Sequence, residues 1–209
     1  MSEPNPGRDL ARASSVGRPR SGEVDRAIVA AALRLLGERG PARVTVEGVA
    51  EYSGVAKTTI YRRYRNRREL LRASLRFVAD LPKPSAELPT PERLVVLLEQ
   101  FREGLEEVVG LRVVATLFLE ADDPEFAETF RRYVLTPRLN LLLRVFQDGV
   151  AAGELRPGVD YRRVVDMLVG SYFARFAIDG AVARDWPRSV LSLVLPLIAP
   201  TPPTDRRAT

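Results

Sequence analysis

The chain has 209 residues, a formal net charge of +5, and neither cysteine nor histidine. That length suits one large domain or two small ones. The two missing residue types exclude a disulfide framework, a thiolate metal site, a cysteine nucleophile and a Ser-His-Asp triad. No P-loop, dinucleotide fingerprint or EF-hand loop is present, so no cofactor and no metal are expected. A carboxylate-only enzyme stays open, although nothing singles out a pair of acids. No apolar run reaches the length of a membrane span, and the N-terminal MSEPNPGRDLARASSVGRPRSG lacks the apolar core of a signal peptide; the cytoplasm is the expected location. Charge is unevenly divided: residues 1–76 carry 16 basic and 8 acidic side chains, residues 77–209 carry 16 and 19. A basic first third on a mildly acidic remainder is the electrostatic footprint of a nucleic-acid-binding head on a different kind of body.

Residues 1–20 are rich in Pro, Gly, Ser and Arg and read as a disordered basic arm. Its Arg18 and Arg20 suit either a minor-groove contact or a solubilising tail. A first helix is expected from about Gly22 to Glu38, N-capped by Ser21 and closed by Gly40, with Val24, Ile28, Ala31, Ala32, Leu35 and Leu36 on one face. Thr45 is a good N-cap for a second helix that places Val46, Val49 and Ala50 inward. Gly54 stands where the chain must turn sharply. Ala56 to Tyr64 then resumes as helix, with Ile60 facing in and Lys57, Thr58, Thr59, Tyr61 and Arg62 facing out. Hydroxyls and cations near the start of such a helix suit base edges and phosphates in a major groove. Residues 57–76 carry eight cationic side chains against the single acid Glu69. A solvated basic face on an ordinary helical hairpin is the bland alternative. The cap, the glycine turn and the Tyr61/Tyr64 pair at fixed offsets favour DNA.

A fourth helix, from about Arg67 to Leu81, connects this head to the rest. Residues 82–91 form a proline-rich linker that cannot sustain a helix, which sets the head at 21–81 and a body at 92–199, with a disordered tail over 200–209. The body reads as all helix: Glu92–Val109, Leu111–Glu120, Glu125–Ala152 with a kink or restart at Thr136-Pro137, Tyr161–Asp179 and Trp186–Ile198. Asp160 is available as a cap. No strand-like alternation persists, so the fold class is all-α.

The segment TVEGVAEYSGVAKTTIYRRYRNRRELL, Thr45 to Leu71, resembles the DNA-binding domain of the TetR (tetracycline-repressor-like) family of bacterial regulators. Thr45, Val49, Ala50, Gly54, Val55, Thr59, Ile60, Tyr61, Tyr64, Arg67 and Leu70 match that family's pattern in register. Many members carry His-Phe where Arg63-Tyr64 stands, and Lys where Arg67 stands. The resemblance implies a helix-turn-helix head, a helical body enclosing a ligand pocket, and a homodimer on a palindromic operator. Lys57, Thr58, Thr59, Tyr61 and Arg62 would then meet the major groove of double-stranded DNA, while Thr45, Tyr64, Arg65 and Arg67 hold phosphates.

In such a body the last two helices would pair between subunits. Met167, Leu168, Gly170, Ser171 and Ala174, with Val190, Leu193, Val194 and Leu197, are the candidate interface; packing within one chain is the alternative. Candidates for lining a pocket are Phe101, Leu117, Phe118, Tyr133, Phe146, Tyr172, Phe173 and Phe176, with Arg112, Glu120 and Arg175 as polar anchors. Aromatics at helical spacing also suit an ordinary core. The expected function is a dimeric repressor released from its operator by a largely apolar small-molecule effector. An activator of the same architecture, a DNA-binding protein controlled without a small molecule, and an enzyme on a helical scaffold are the other readings, the last opposed by the absence of His and Cys.

Overall fold

A computed structural model describes residues 19–80, 82–110, 113–114 and 123–200, without the side chains of 19–21 and 107–109. Arg18, the side chain of Arg20, Arg112, Leu117, Phe118 and Glu120 lie outside the described residues, as does most of the helix expected at Leu111–Glu120. Every regular element among the described residues is helical.

Helix α1 spans Pro19–Arg39, and the Gly40 N–H closes it on the Leu36 carbonyl at 3.0 Å. It begins before the expected Gly22. A single 3₁₀ turn, Pro41–Arg43, leads to α2, Val46–Ser53. The Thr45 hydroxyl accepts from the Gly48 N–H at 3.0 Å, filling one of the orphan donors of the first turn. Gly54 ends α2 with φ 69°, the left-handed conformation that only glycine takes without steric cost. Helix α3 is Lys57–Arg63 and α4 is Arg67–Ala79. Asn66 caps α4 by accepting from the Glu69 N–H at 2.9 Å, and the Glu69 carboxylate reaches back to the Arg65 N–H at 2.9 Å.

In the body, α5 runs Thr90–Glu103 and continues as a π-helical turn, Gly104–Val109. Helix α6, Pro124–Phe130, passes through a second π turn, Arg131–Leu135, into α7, Thr136–Ala151. The expected interruption at Thr136-Pro137 thus takes the form of a widened turn. Pro137 has no N–H to give, and its ring would crowd the carbonyl four residues back, so an extra residue in the turn relieves the clash. Helices α8, Tyr161–Asp179, and α9, Trp186–Ile198, follow. Asp160 caps α8 as expected, accepting from the Arg163 N–H at 3.2 Å. Arg156 satisfies the end of α9, its backbone N–H on the Ile198 carbonyl and its guanidinium on that of Leu197, both at 2.8 Å.

Two apolar cores result, and they do not divide at the proline-rich linker. The first unites Ile28, Leu35, Leu36, Val49, Ile60 and Leu70 with Phe126, Phe130 and Val134. Helix α4 therefore lies between the head and the α6 segment of the body, burying Leu70, Leu71, Leu75 and Val78. The second core joins α5, α7, α8 and α9 around Leu98, Phe146, Val165, Leu168 and Tyr172. The sequence places the head's end near residue 81, but its apolar packing continues to residue 134.

Candidate nucleic-acid interface and body cavity

Helix α3 buries Ile60 completely and exposes Lys57, Thr58, Tyr61 and Arg62. These four share one side of the helix, because positions i, i+1, i+4 and i+5 lie within one face at 100° per residue. Thr59 falls at the flank and is half-buried, less available than expected. Tyr61 is held in place: its hydroxyl donates to Glu47 Oε1 at 3.1 Å, so α2 positions a side chain of α3. Nothing in the sequence singles out Glu47 for this role. Its own backbone N–H, together with the Tyr61 hydroxyl, holds its carboxyl below the usual carboxylate range, while the same bond raises the Tyr61 phenol.

The flanking cations separate into two groups. Arg65 is exposed beside the face of α3. Arg63 turns inward to Asp25 of α1 at 2.7 Å. Arg67, expected at a phosphate, has its guanidinium engaged within the protein. It donates to the carbonyls of Val44 and Pro41 at 3.1 and 2.8 Å, to Asp123 at 2.5 Å and to Glu125 at 3.3 Å. Tyr64 is half-buried against the head core, and burial, with the Asp25 carboxylate nearby, pushes its phenol up. Thr45 uses its hydroxyl as the cap of α2. Lys57, Arg62 and Arg65 remain as the cations facing solvent around Thr58 and Tyr61.

A cavity of about 590 Å³ opens in the body between the C-terminal end of α4, α5, the α6–α7 segment and α8. That is room for a drug-sized or lipid-like molecule. Leu97, Phe101, Leu142, Val169 and Phe173 form apolar wall, and Arg138 and Arg144 bring charge. Of the expected lining, Phe101 and Phe173 are there. Phe146 is instead interior, stacked on Tyr161 with ring centroids 5.0 Å apart. Tyr133 lies against the head core under the guanidinium of Arg76, 5.5 Å from its ring. Arg175 is on the surface, paired with Asp179 one turn on at 3.2 Å. Tyr172 and Phe176 face a separate, more polar cleft with Arg102, Glu106 and Arg184. There Tyr172 packs edge-on to Phe101 and Trp186, and burial pushes its phenol up to about 12. The lining residues that the sequence does not single out, chiefly aliphatic wall and Arg138, carry no local signature that marks them.

The expected pairing face also sorts itself. Leu168 is fully buried and Ser171 accepts from Trp186 Nε1 at 3.0 Å, so both belong to the core of their own chain. Val190 and Val194 are half-buried against that core. Met167, Gly170 and Ala174 of α8 and Leu193 and Leu197 of α9 stay at the surface, joined by Ile178, which is not among the expected interface residues. Met167, Ile178, Leu193 and Leu197 are each about two-thirds exposed (65%, 68%, 71% and 67%), an apolar stripe of the kind that marks an interaction surface. Among the described residues no cluster of acids could hold a metal ion, and no helix is long and apolar enough to cross a membrane.

Residues 28–74 match the family description "Bacterial regulatory proteins, tetR family", and residues 90–194 match "Tetracyclin repressor-like, C-terminal domain". The chain is similar to an uncharacterized HTH-type transcriptional regulator of Bacillus subtilis, YdeS, with 30% identity over 82% of this chain and 87% of that one. It is also similar to the fatty acid metabolism regulator protein of Bacillus subtilis, with 25% identity over 69% and 77%. Among solved structures, the transcriptional regulator FadR from Bacillus subtilis in complex with stearoyl-CoA shares the fold, with TM-score 0.65, 21% identity, and coverage of 81% of this chain and 97% of that one.

Proposed function

This chain belongs to the TetR family of bacterial regulatory proteins and is a DNA-binding transcriptional regulator; from that premise we propose that it is a dimeric repressor, released from a palindromic operator when a small molecule with a long apolar part fills the body cavity. Lys57, Thr58, Tyr61 and Arg62 enter the major groove, with Thr59 at the flank and Arg65 on the backbone. Two such helices, held apart by a dimer built on the exposed stripe of α8 and α9, read half-sites about one DNA turn apart.

One observation carries the ligand-controlled reading. Phe130 and Val134 line the cavity and also belong to the core that α4 shares with the DNA-binding head. A molecule pressing on these two side chains presses on α4, and packed cores repack between discrete arrangements rather than deforming smoothly. The ligand must bind the released arrangement more tightly than the DNA-bound one, or it shifts nothing. The apolar walls favour a hydrocarbon-bearing effector, and the similarity to a fatty acid metabolism regulator supports the same choice. The cytoplasm is the compartment this function requires, and no enzymatic step is assigned to the chain.

The test uses the full chain on a DNA fragment it selects. Val169→Trp, which fills the cavity from α8, is expected to keep operator affinity and to lose release by effector. Normal release in that variant would remove the cavity from the mechanism.

A further inference from the structure

Arg138 stands in the first turn of α7 and lines the cavity. Its Nη2 donates to the Val78 carbonyl at 3.0 Å, one of the last carbonyls of α4. Its Nε is buried with no hydrogen-bond partner, and burial lowers its pKa. The guanidinium packs over Gly104 at the start of the π turn after α5, where an added Cβ would fall 2.9 Å from Nη1. Unlike Arg67, Arg93 and Arg102, it pairs with no carboxylate among the described residues. A half-buried cation with a buried, unpartnered Nε and one neutral carbonyl for its guanidinium is under-compensated, because desolvation costs more than a single such bond returns.

We infer that Arg138 is the anion subsite of the cavity and the latch by which the occupant acts on α4. The ligand is an apolar chain ending in a carboxylate or phosphate. Its head group draws the guanidinium, with the Nη2 donor now given to Val78, onto itself, so the C-terminal end of α4 loses its tie to α7. The inference rests on the ligand-controlled reading above and adds the ligand's charge and the bond it breaks. Charge around the cavity agrees: Lys83, Arg131, Arg138 and Arg144 line it against Asp80 and Asp166. A carboxylate or phosphate can take two parallel bonds from the guanidinium and adds opposite charge, where the Val78 carbonyl takes one bond and adds none, which supplies the preference for the released arrangement.

Trp186, the chain's single tryptophan, lies 6.2 Å from the ring of Phe101 on the cavity wall, so its emission reports occupancy without DNA. Dodecanoate, monododecyl phosphate and dodecanol are titrated into the full-length wild type, Arg138→Gln and Arg138→Lys, and release of each protein from its selected DNA fragment is measured alongside. The wild type is expected to bind at least one anion about tenfold or more tighter than the alcohol, and that anion alone releases DNA. The anion whose preference is larger identifies the head group. In Arg138→Gln the anion-to-alcohol ratio falls to near one; Arg138→Lys keeps part of it. Equal binding of alcohol and both anions to the wild type, or an undiminished ratio in Arg138→Gln, overturns the inference while leaving the cavity reading in place. If none of the three probes binds the wild type, the cavity reading falls and takes the inference with it.

Discussion

Arg67 Nη2 lies 2.5 Å from Asp123 Oδ2, which ties the first residue of α4 to the N-cap of α6. The carboxylate does two things at once, since its Oδ1 also accepts from the Phe126 N–H at 3.1 Å. Arg67 in turn secures the carbonyls of Pro41 and Val44, so the turn before α2, the start of α4 and the start of α6 meet at one guanidinium. Asp123→Ala removes the cap and the ion pair together and is expected to cost about 2–3 kcal/mol. Asp123→Asn keeps a capping oxygen and is expected to cost about 1 kcal/mol less. Urea unfolding of the two variants checks both values; equal, negligible losses would show that the junction contributes nothing to stability.

Because Arg67 is engaged inside the protein, binding of the operator is proposed to fall to the cations left in solvent. Lys57→Ala and Arg62→Ala are each expected to reduce the dependence of log affinity on log salt by about one for each phosphate no longer neutralised. Arg67→Ala is expected to lower stability while leaving that slope nearly unchanged. Anisotropy titrations over a series of salt concentrations make the comparison. A slope reduced by Arg67→Ala as much as by Lys57→Ala would return Arg67 to the DNA backbone.

The Tyr61–Glu47 bond sets the pose of a side chain on the helix proposed to face DNA. Glu47 has its carboxyl lowered, so the bond is present above the carboxylate's unfolded value and is lost as pH falls through the depressed one. Tyr61 has its phenol raised, so the bond is lost only as pH rises through that raised value. Operator selectivity is accordingly expected to be flat through the neutral range. Glu47→Gln and Tyr61→Phe are each expected to weaken the selected site by roughly three- to tenfold relative to random DNA. Competition binding against random fragments measures it, and an unchanged ratio in both variants would mean that Tyr61 does not read the site.

The stripe on α8 and α9 makes a separate demand. Leu193→Glu puts a charge at the centre of a face that a second copy is proposed to cover, and is expected to raise the dimer dissociation constant by at least about tenfold. Far-ultraviolet dichroism stays helical, since Leu193 is exposed in the single chain. Sedimentation equilibrium gives the constant. A Leu193→Glu chain that remains as dimeric as the wild type would move the interface elsewhere.

What is legible in this chain depends on how far apart the interacting residues lie. The Thr45 cap, the Gly54 turn and the inward Ile60 all depend on residues within a few positions, and each stands where the sequence puts it. Thr59 is less exposed than its spacing suggests, because the tilt of a seven-residue helix is decided by how far Ile60 sinks, which local spacing leaves open. Arg67 does not stand apart from its neighbours Arg65 and Arg68 in the sequence, since its acid partner lies 56 residues away. Helix α8 carries apolar side chains on more than one side, so periodicity does not tell buried Leu168 from exposed Met167. For the cavity, aromatic spacing points to Phe146 and Tyr172, which are core. The wall is largely aliphatic, and Arg138 is one arginine in a chain full of them.

Selection of genomic DNA fragments by the purified full-length protein, at two salt concentrations, tests the central claim most directly. A short palindromic site bound by a dimer, retained at the higher salt over random fragments, is the result this account predicts. Salt-sensitive binding with no sequence preference would contradict it and leave the chain a general DNA-binding protein.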